Sequence, residues 1–207
     1  RPGIVAHKCK MRVGTLEIGD EVRAEIDGVR RDRIRRNHTA THLLQWALRL
    51  VLGEHVKQSG SHVAPERLRF DFTHFSHLTR EEIVRVELLV NEKIREDLPV
   101  ESRVTSLEEG IREGAMAIFE EKYGEKVRVI GISDFSKELC GGTHLGRTGQ
   151  IGFCLLLSES SIGAGLRRVE AVTGRGAAAY VRQRLALLDE AAARVQATPD
   201  EVPGKIT

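Results

Sequence analysis

Hydrophobic positions along this chain recur in two registers, one helical and one alternating, and the switches between them mark out its elements. Over residues 37–52, Leu43, Leu44, Ala47, Leu48, Val51 and Leu52 fall on one helical face, with Asn37 as a candidate N-cap and Gly53 as a natural stop. Residues 56–63 and 67–73 then read as two strands separated by Ala64-Pro65-Glu66, the second alternating Leu68, Phe70 and Phe72 with Arg69 and Asp71. Thr79 followed by Glu82 is a capping-box pattern. It predicts an amphipathic helix of about twenty residues that ends before Pro99, with Ile83, Val86, Leu89, Val90 and Ile94 inward.

Strands are predicted over 100–105, 127–132, 151–158 and 166–173, with mixed helix and turn over 107–123 and a glycine-punctuated loop over 136–149. The alanine- and leucine-rich stretch from Gly176 to Ala197 predicts a helix, and the last ten residues a frayed end. The chain opens differently. Gly14 and Gly19-Asp20 bracket residues 15–18, and Val22, Ala24 and Ile26 alternate with charged residues before Asp27-Gly28, as in the last hairpins of a β-barrel. The expected fold class is α+β: a mixed or antiparallel sheet with long helices, preceded by remnant barrel strands and followed by a C-terminal helix. The expected organisation is a partial barrel segment over 1–36, a central domain over 37–175, and a helix with its tail over 176–207.

Composition narrows the picture modestly. The 207 residues are 41% hydrophobic, enough for a sizeable core, and 32 basic against 30 acidic residues leave a formal charge of only +2. Overall charge therefore argues neither for nor against a nucleic-acid partner. Its distribution says more, because Arg30, Arg31, Arg33, Arg35 and Arg36 cluster just before the first histidine pair. Both a solvated strand or loop and a phosphate-contacting patch are consistent with that run. Cys9, Cys140 and Cys154 are odd in number and widely spaced, which suits a reducing, cytoplasmic compartment better than a disulfide framework. No run approaches the roughly 20 apolar residues of a membrane span, and no signal-peptide h-region follows Arg1.

The candidate chemistry lies in two short motifs far apart in the chain. In N37-H38-T39-A40-T41-H42 two histidines stand at i and i+4, which puts both imidazoles on one helix face, suited to one metal ion or to two ordinary hydrogen-bonded rings. The intervening glutamate of a metalloprotease motif is missing. In C140-G141-G142-T143-H144 a cysteine and a histidine can both face inward if the glycines allow a tight fold. The alternative is a plain turn beside a small buried hydrophobe. Together the motifs offer two, three or four N/S donors of the kind zinc prefers. His7, His55, His62, His74 and His77 read as surface residues.

The stretches N-H-T-A-T-H-L-L, R-F-D-F, E-L-C-G-G-T-H-L-G-R-T-G-Q-I-G and G-L-R-R-V-E-A-V-T-G together resemble the editing domain of alanyl-tRNA synthetases, which also occurs in free-standing relatives. The resemblance covers residues 10–175 and is specific through the combination of its motifs. It implies a split Zn2+ site of His38, His42, Cys140 and His144, with Thr41 and Gln58 in substrate recognition. It implies hydrolysis of seryl or glycyl esters wrongly attached to tRNA(Ala), and a helix after Gly176 that begins the linker to a further domain. Nothing in the chain resembles the ATP-binding motifs of class II synthetases.

Such chemistry needs an activated water, a place for the oxyanion and a selective pocket. Zinc can lower the pKa of water to about 7 or polarise a carbonyl only where a coordination position is open. Four protein donors would close a tetrahedral site unless Cys140 yields, the shell expands, or the metal only organises the pocket. Gly141 and Gly142 amides are candidate oxyanion donors. Arg167 and Arg168 should point to opposite sheet faces, one toward the tRNA end and one toward an acid such as Glu170, and Arg69 and the arginines of residues 30–36 are candidates for the acceptor-stem backbone. Rival readings are a non-catalytic, zinc-stabilised tRNA-binding module, a free-standing trans-editing deacylase, and a hydrolase of small esters. The apolar stripe of the last helix could join copies of the chain into an oligomer.

Overall fold

The computed structural model describes residues 6–117 and 123–206. Its first element, α1 (Gly28–Leu52), begins nine residues before the predicted start. Asp27 is the N-cap, its carboxylate accepting from the Arg30 N–H at 2.9 Å, and arginine is a good helix former. Gly53 at φ 114° ends the helix as expected, its own N–H bonded to the Arg49 carbonyl. Asn37 marks instead the point where α1 enters the core. Its carboxamide donates to the Ala64 carbonyl at 2.7 Å and accepts from the Thr173 hydroxyl at 2.7 Å, tying the helix to a strand connection and to a strand.

Strands β1 (Gln58–Val63) and β2 (Leu68–Thr73) fall where predicted. The capping box of Thr79 and Glu82 opens α2 (Arg80–Arg95), with Val86, Val90 and Ile94 buried and Ile83 and Leu89 packed on the same cluster. Next come β3 (Val100–Ser106), a short α3 (Leu107–Arg112), β4 (Lys126–Ile132) and β5 (Ser136–Leu139). After a 3-10 turn over Thr148–Ile151 follow β6 (Cys154–Gly163), β7 (Leu166–Thr173), α4 (Gly174–Arg194) and α5 (Val202–Lys205).

All strand pairs within the two sheets are antiparallel. One sheet has the order β1-β2-β7-β6 and the other β3-β4-β5. Phe70 and Phe72 of β2, Val169 and Ala171 of β7 and the apolar faces of α1 and α2 form the main core. Val127, Val129 and Leu139 make a smaller cluster under α3 with Ala115. At the edge of the four-stranded sheet, Asn91 of α2 meets β6 with both amide atoms, accepting from Cys154 N at 2.9 Å and donating to its carbonyl at 2.7 Å.

Four expectations need correction. Among the described residues 6–27 there is no strand: the alternating apolar residues meet no partner strand in this chain, and Val13, Ile18, Val22 and Ile26 are exposed. An unpaired ribbon is at best marginal in water. The second helix is 16 residues long. The stretch 136–149 is a loop only from Cys140 onward, because β5 pairs with β4 from Leu139↔Val129 to Ser136↔Ile132. The tail is ordered by a local motif, Thr198 and Glu201 forming a capping box before α5, and Val202 is buried while Ala192 of α4 is fully covered.

The double tie at Asn37 makes a test of how the site's helix is anchored. Asn37→Ala should keep the fold but lower stability by about 1–3 kcal/mol, since it leaves the half-buried Ala64 carbonyl and the buried Thr173 hydroxyl without their partner. Urea unfolding followed by circular dichroism measures it, and an unchanged midpoint would refute the anchoring role.

Candidate metal centre

His38 and His42 project from one face of α1, as their spacing requires. Cys140 follows directly on β5, its N–H continuing the ladder to the Arg128 carbonyl of β4 at 2.9 Å. The two motifs meet. Cys140 Sγ lies 3.4 Å from His38 Nε2 and 3.3 Å from His144 Nε2, and one donor atom from each of His38, His42, Cys140 and His144 lies within 4.8 Å of every other. Tetrahedral zinc with Zn–N near 2.0–2.1 Å and Zn–S near 2.3 Å sets donors roughly 3.3–3.8 Å apart, so three imidazoles and a thiolate fit one such ion after small adjustments. A donor set of nitrogen and sulfur is chemically suited to it as well.

The loop over residues 140–145 is clamped from three directions. Arg128 donates to the carbonyls of Cys140, at 3.0 Å, and of Gly142. Arg35 donates to the His144 carbonyl at 2.6 Å. The Thr39 hydroxyl accepts from Leu145 N–H at 3.1 Å and lies 3.4 Å from His144 Nδ1, on the ring edge away from the cluster. The peptides of this loop are trans, so with these two carbonyls turned to Arg128 the N–H groups of Gly141 and Thr143 point the other way. Gly142 has a different part. A Cβ there would fall on the His38 ring, so only glycine lets the ring lie against the loop.

Behind His42 stands a residue that sequence reasoning missed. Glu138 is buried on β5, and its Oε2 is 3.2 Å from His42 Nδ1, within ion-pair reach. His42 Nδ1 and the other carboxylate oxygen, Glu138 Oε1, have no hydrogen-bond partner by geometry among the described residues. The available signal was the strand period: Glu138 stands two before Cys140 and shares its face. Thr39 was missed too, its only signal being its place inside the histidine motif.

Charge within the cluster is strongly coupled. Burial works against a charged His42 ring, but Glu138 and the Cys140 sulfur outweigh it and raise its pKa to about 10. Burial would likewise raise Cys140, yet the surrounding His144, His38 and His42 rings bring it down to about 3. Burial and the neighbouring rings hold His144 at about 4. Without metal, the neutral-pH cluster is therefore a thiolate facing an imidazolium.

The other predicted site residues fall at varying distances from this centre. Thr41 is buried one turn along from His38 and spends its hydroxyl on the His38 carbonyl at 2.7 Å. Gln58 is half-buried at the start of β1, its amide donating to Ser61 Oγ at 3.0 Å. Arg168 makes a two-pronged pair with Asp71 at 2.7 and 2.9 Å, and Arg69 lies 3.5 Å from the same carboxylate. Glu170 pairs with Arg67 instead, and Arg167 is buried against Glu159, with His77 at 2.8 Å. The two arginines do take opposite faces, but each is matched to an acid. The predicted surface histidines include one pair, His55 Nε2 and His74 Nδ1 at 2.9 Å.

The arginines of residues 30–36 lie on the first turns of α1, neither strand nor loop. Arg36 reaches the Gln150 carbonyl at 3.0 Å, and Arg31 and Arg35 line a cleft of about 380 Å3 together with Arg128, Gly142, Thr143 and His144. Arg35 pairs with Asp32 at 3.3 Å, so the basic character of the cleft rests mainly on Arg31 and Arg128, and the cleft borders the metal-ligand loop. No helix among the described residues is long and apolar enough to cross a membrane.

Residues 127–170 match the family described as threonyl and alanyl tRNA synthetase second additional domain. That stretch runs from β4 to β7 and holds Cys140 and His144 but not the α1 histidines. Full-length similarity is to alanine--tRNA ligases: 50% identity over 204 residues to that of Thermotoga maritima, 53% over 203 to that of Pelotomaculum thermopropionicum, and 48% over 204 to that of Fervidobacterium nodosum. These alignments cover 98–99% of the chain but only 23–24% of each relative, so the chain spans about a quarter of their length.

Cysteine reactivity should report the cluster directly. In metal-stripped protein Cys140 should be alkylated by iodoacetamide even below pH 6, and added Zn2+ should protect it. Cys154, fully buried with its pKa pushed up to about 12, should stay unmodified until the protein is unfolded. Peptide mass spectrometry reads both sites, and Cys140 labelling that appears only above pH 8 would contradict the coupled cluster. Gly142→Ala should displace the His38 ring and weaken metal uptake, measured by chelator competition, whereas parental uptake would refute the packing argument.

Proposed function

We propose that this chain, similar over nearly its whole length to about a quarter of the alanine--tRNA ligases, is a Zn2+-dependent editing module that hydrolyses seryl and glycyl esters of tRNA(Ala). The observation that carries the reading is the convergence of His38, His42, Cys140 and His144 from two of the four stretches that the resemblance rests on. A single-motif coincidence would not bring three imidazoles and a thiol together.

These four side chains would hold the ion. When bound, zinc supplies Lewis acidity, polarising an ester carbonyl or making water more acidic. The remaining work falls to the protein. Gly141 N–H, directed away from Arg128, is the donor we assign to the developing oxyanion, with Gly142 keeping the loop close to His38. Arg128 and Arg35 hold that loop rigid, so its donor need not reorganise as charge develops. The basic cleft at Arg31 and Arg35 takes the phosphates of the acceptor end. Arg69 and Arg168, balanced by Asp71, offer donors rather than net charge to the substrate.

Selection rests on hydrogen bonding. A synthetase pocket shaped for alanine rejects an added hydroxyl weakly, so a second pocket must recognise that hydroxyl. We assign this to Thr41 and Gln58, which would exchange their bonds to the His38 carbonyl and Ser61 for the serine hydroxyl. An alanine ester has no hydroxyl for that exchange, so it leaves those bonds as they are and gains nothing from either group.

The expected result is hydrolysis of Ser-tRNA(Ala) well above that of Ala-tRNA(Ala), abolished by a chelator and restored by Zn2+. Folded, zinc-loaded chain that leaves the serine ester intact would sink the catalytic reading. Four donors around one ion also favour a second reading, a closed structural zinc in a tRNA-binding module. Cys140→Ala decides between them: a catalytic centre keeps its fold and loses turnover, while a structural one loses its fold on losing its metal.

A further inference from the structure

Glu138 is the most deeply buried carboxylate beside the cluster, at 3% relative exposure, and the ring it faces, His42, is at 1%. A buried charge in this position is costly unless it is paired. Its backbone is fixed on both edges, by the pairing Glu138↔Ile130 with β4 and by a parallel bridge to Met116, where Leu139 N–H donates to the Met116 carbonyl at 2.9 Å. Ser136, Glu138 and Cys140 alternate along one strand direction, so the segment that delivers the sulfur ligand delivers the carboxylate to the same side.

Two buried polar atoms at this contact have no hydrogen bond, His42 Nδ1 and Glu138 Oε1. Nδ1 lies 3.2 Å from the carboxylate, and that leaves Nε2, on the opposite edge of the ring, for the cluster. We infer that Glu138 is a positioning residue of the metal centre: its carboxylate receives the Nδ1–H of His42, fixes the tautomer, and holds the ring with Nε2 turned to the ion. With Nε2 given to an ion, the one N–H of the neutral ring would sit on Nδ1, facing Glu138 Oε2, and His42 Nδ1 would gain its partner. Thr39 stands behind His144 Nδ1 in the same way, but with a neutral oxygen. His42 is therefore the ligand whose orientation depends most on an anion.

This inference rests on the metal reading of the cluster, not on the hydrolysis, and its readouts are chosen accordingly. Zn2+ affinity is measured on the full chain by competition with a chromogenic chelator, and the His42 tautomer by 15N-resolved NMR of the zinc-loaded protein. Glu138→Ala should weaken Zn2+ binding by about 10–100-fold, with circular dichroism unchanged and the His42 Nδ1–H signal lost to exchange. Glu138→Gln keeps a carbonyl acceptor at the same place, so it should retain the tautomer and recover most of the affinity. If Glu138→Ala does not fold, the glutamine variant carries the test alone. Parental affinity in folded Glu138→Ala overturns the inference while leaving the editing reading intact. So does a folded Glu138→Gln with His42 in the other tautomer or with affinity as low as expected for full removal. A parent chain that takes up no Zn2+ overturns the metal reading together with this inference.

Discussion

The seam between α1 and the loop over residues 140–145 is the constraint on which the rest of the structure depends. Four donor atoms must converge from a helix and from a loop more than a hundred positions later in the chain. Much of that convergence is built without metal. Arg35 and Thr39, on the same helix as the two histidines, bind the backbone at His144 and Leu145. Arg128, on the strand beside β5, binds the backbone at Cys140 and Gly142. Each is a bond from a side chain to a carbonyl or amide that would otherwise be an unsatisfied loop group, so the loop's shape follows from satisfying its own backbone.

The two sheets serve this seam in different ways. The four-stranded sheet supplies the apolar floor on which α1 lies, and Asn37 pins the helix to the strand connection at Ala64 and to β7 at Thr173. Its arginines are matched to acids: Arg168 to Asp71, Arg167 to Glu159 and Arg67 to Glu170. Its motif arginines thus carry little unbalanced charge. The three-stranded sheet presents Cys140 and Glu138 on one face through strand alternation. Positive charge bordering the metal centre comes mainly from the first turns of α1 and from Arg128, on the cleft beside His144.

The electrostatics of the cluster follow from crowding titratable groups into a space with little water. One anionic sulfur among three imidazoles is stabilised by each of them, while Glu138 favours charge on the single ring it faces. A divalent ion would take the place of that proton and satisfy the same anions.

Much of this was legible in the residues. Helical and alternating periods located both long core helices, the β2 and β7 strands and the capping box at Thr79, because those patterns are local and the core needs them. The four candidate ligands were legible as two spacings, and the family resemblance joined them. What the residues did not reveal were features settled by partners distant in sequence. The first strands were read from alternation, but alternation makes a strand only where another strand accepts its hydrogen bonds, and residues 6–27 meet none. Asn37 carries N-cap chemistry, yet its amide is used by Ala64 and Thr173, while Asp27 caps the helix. Glu138 and Thr39 look like ordinary strand and helix residues until β5 and α1 are laid together. The sequence by itself determined the main core helices, most of the sheet strands and which side chains can bind a metal, since these depend on spacing along the chain. The tertiary structure alone decided which carboxylate stands behind which ring and which arginines keep their charge, since those depend on groups that only folding brings within a few ångströms.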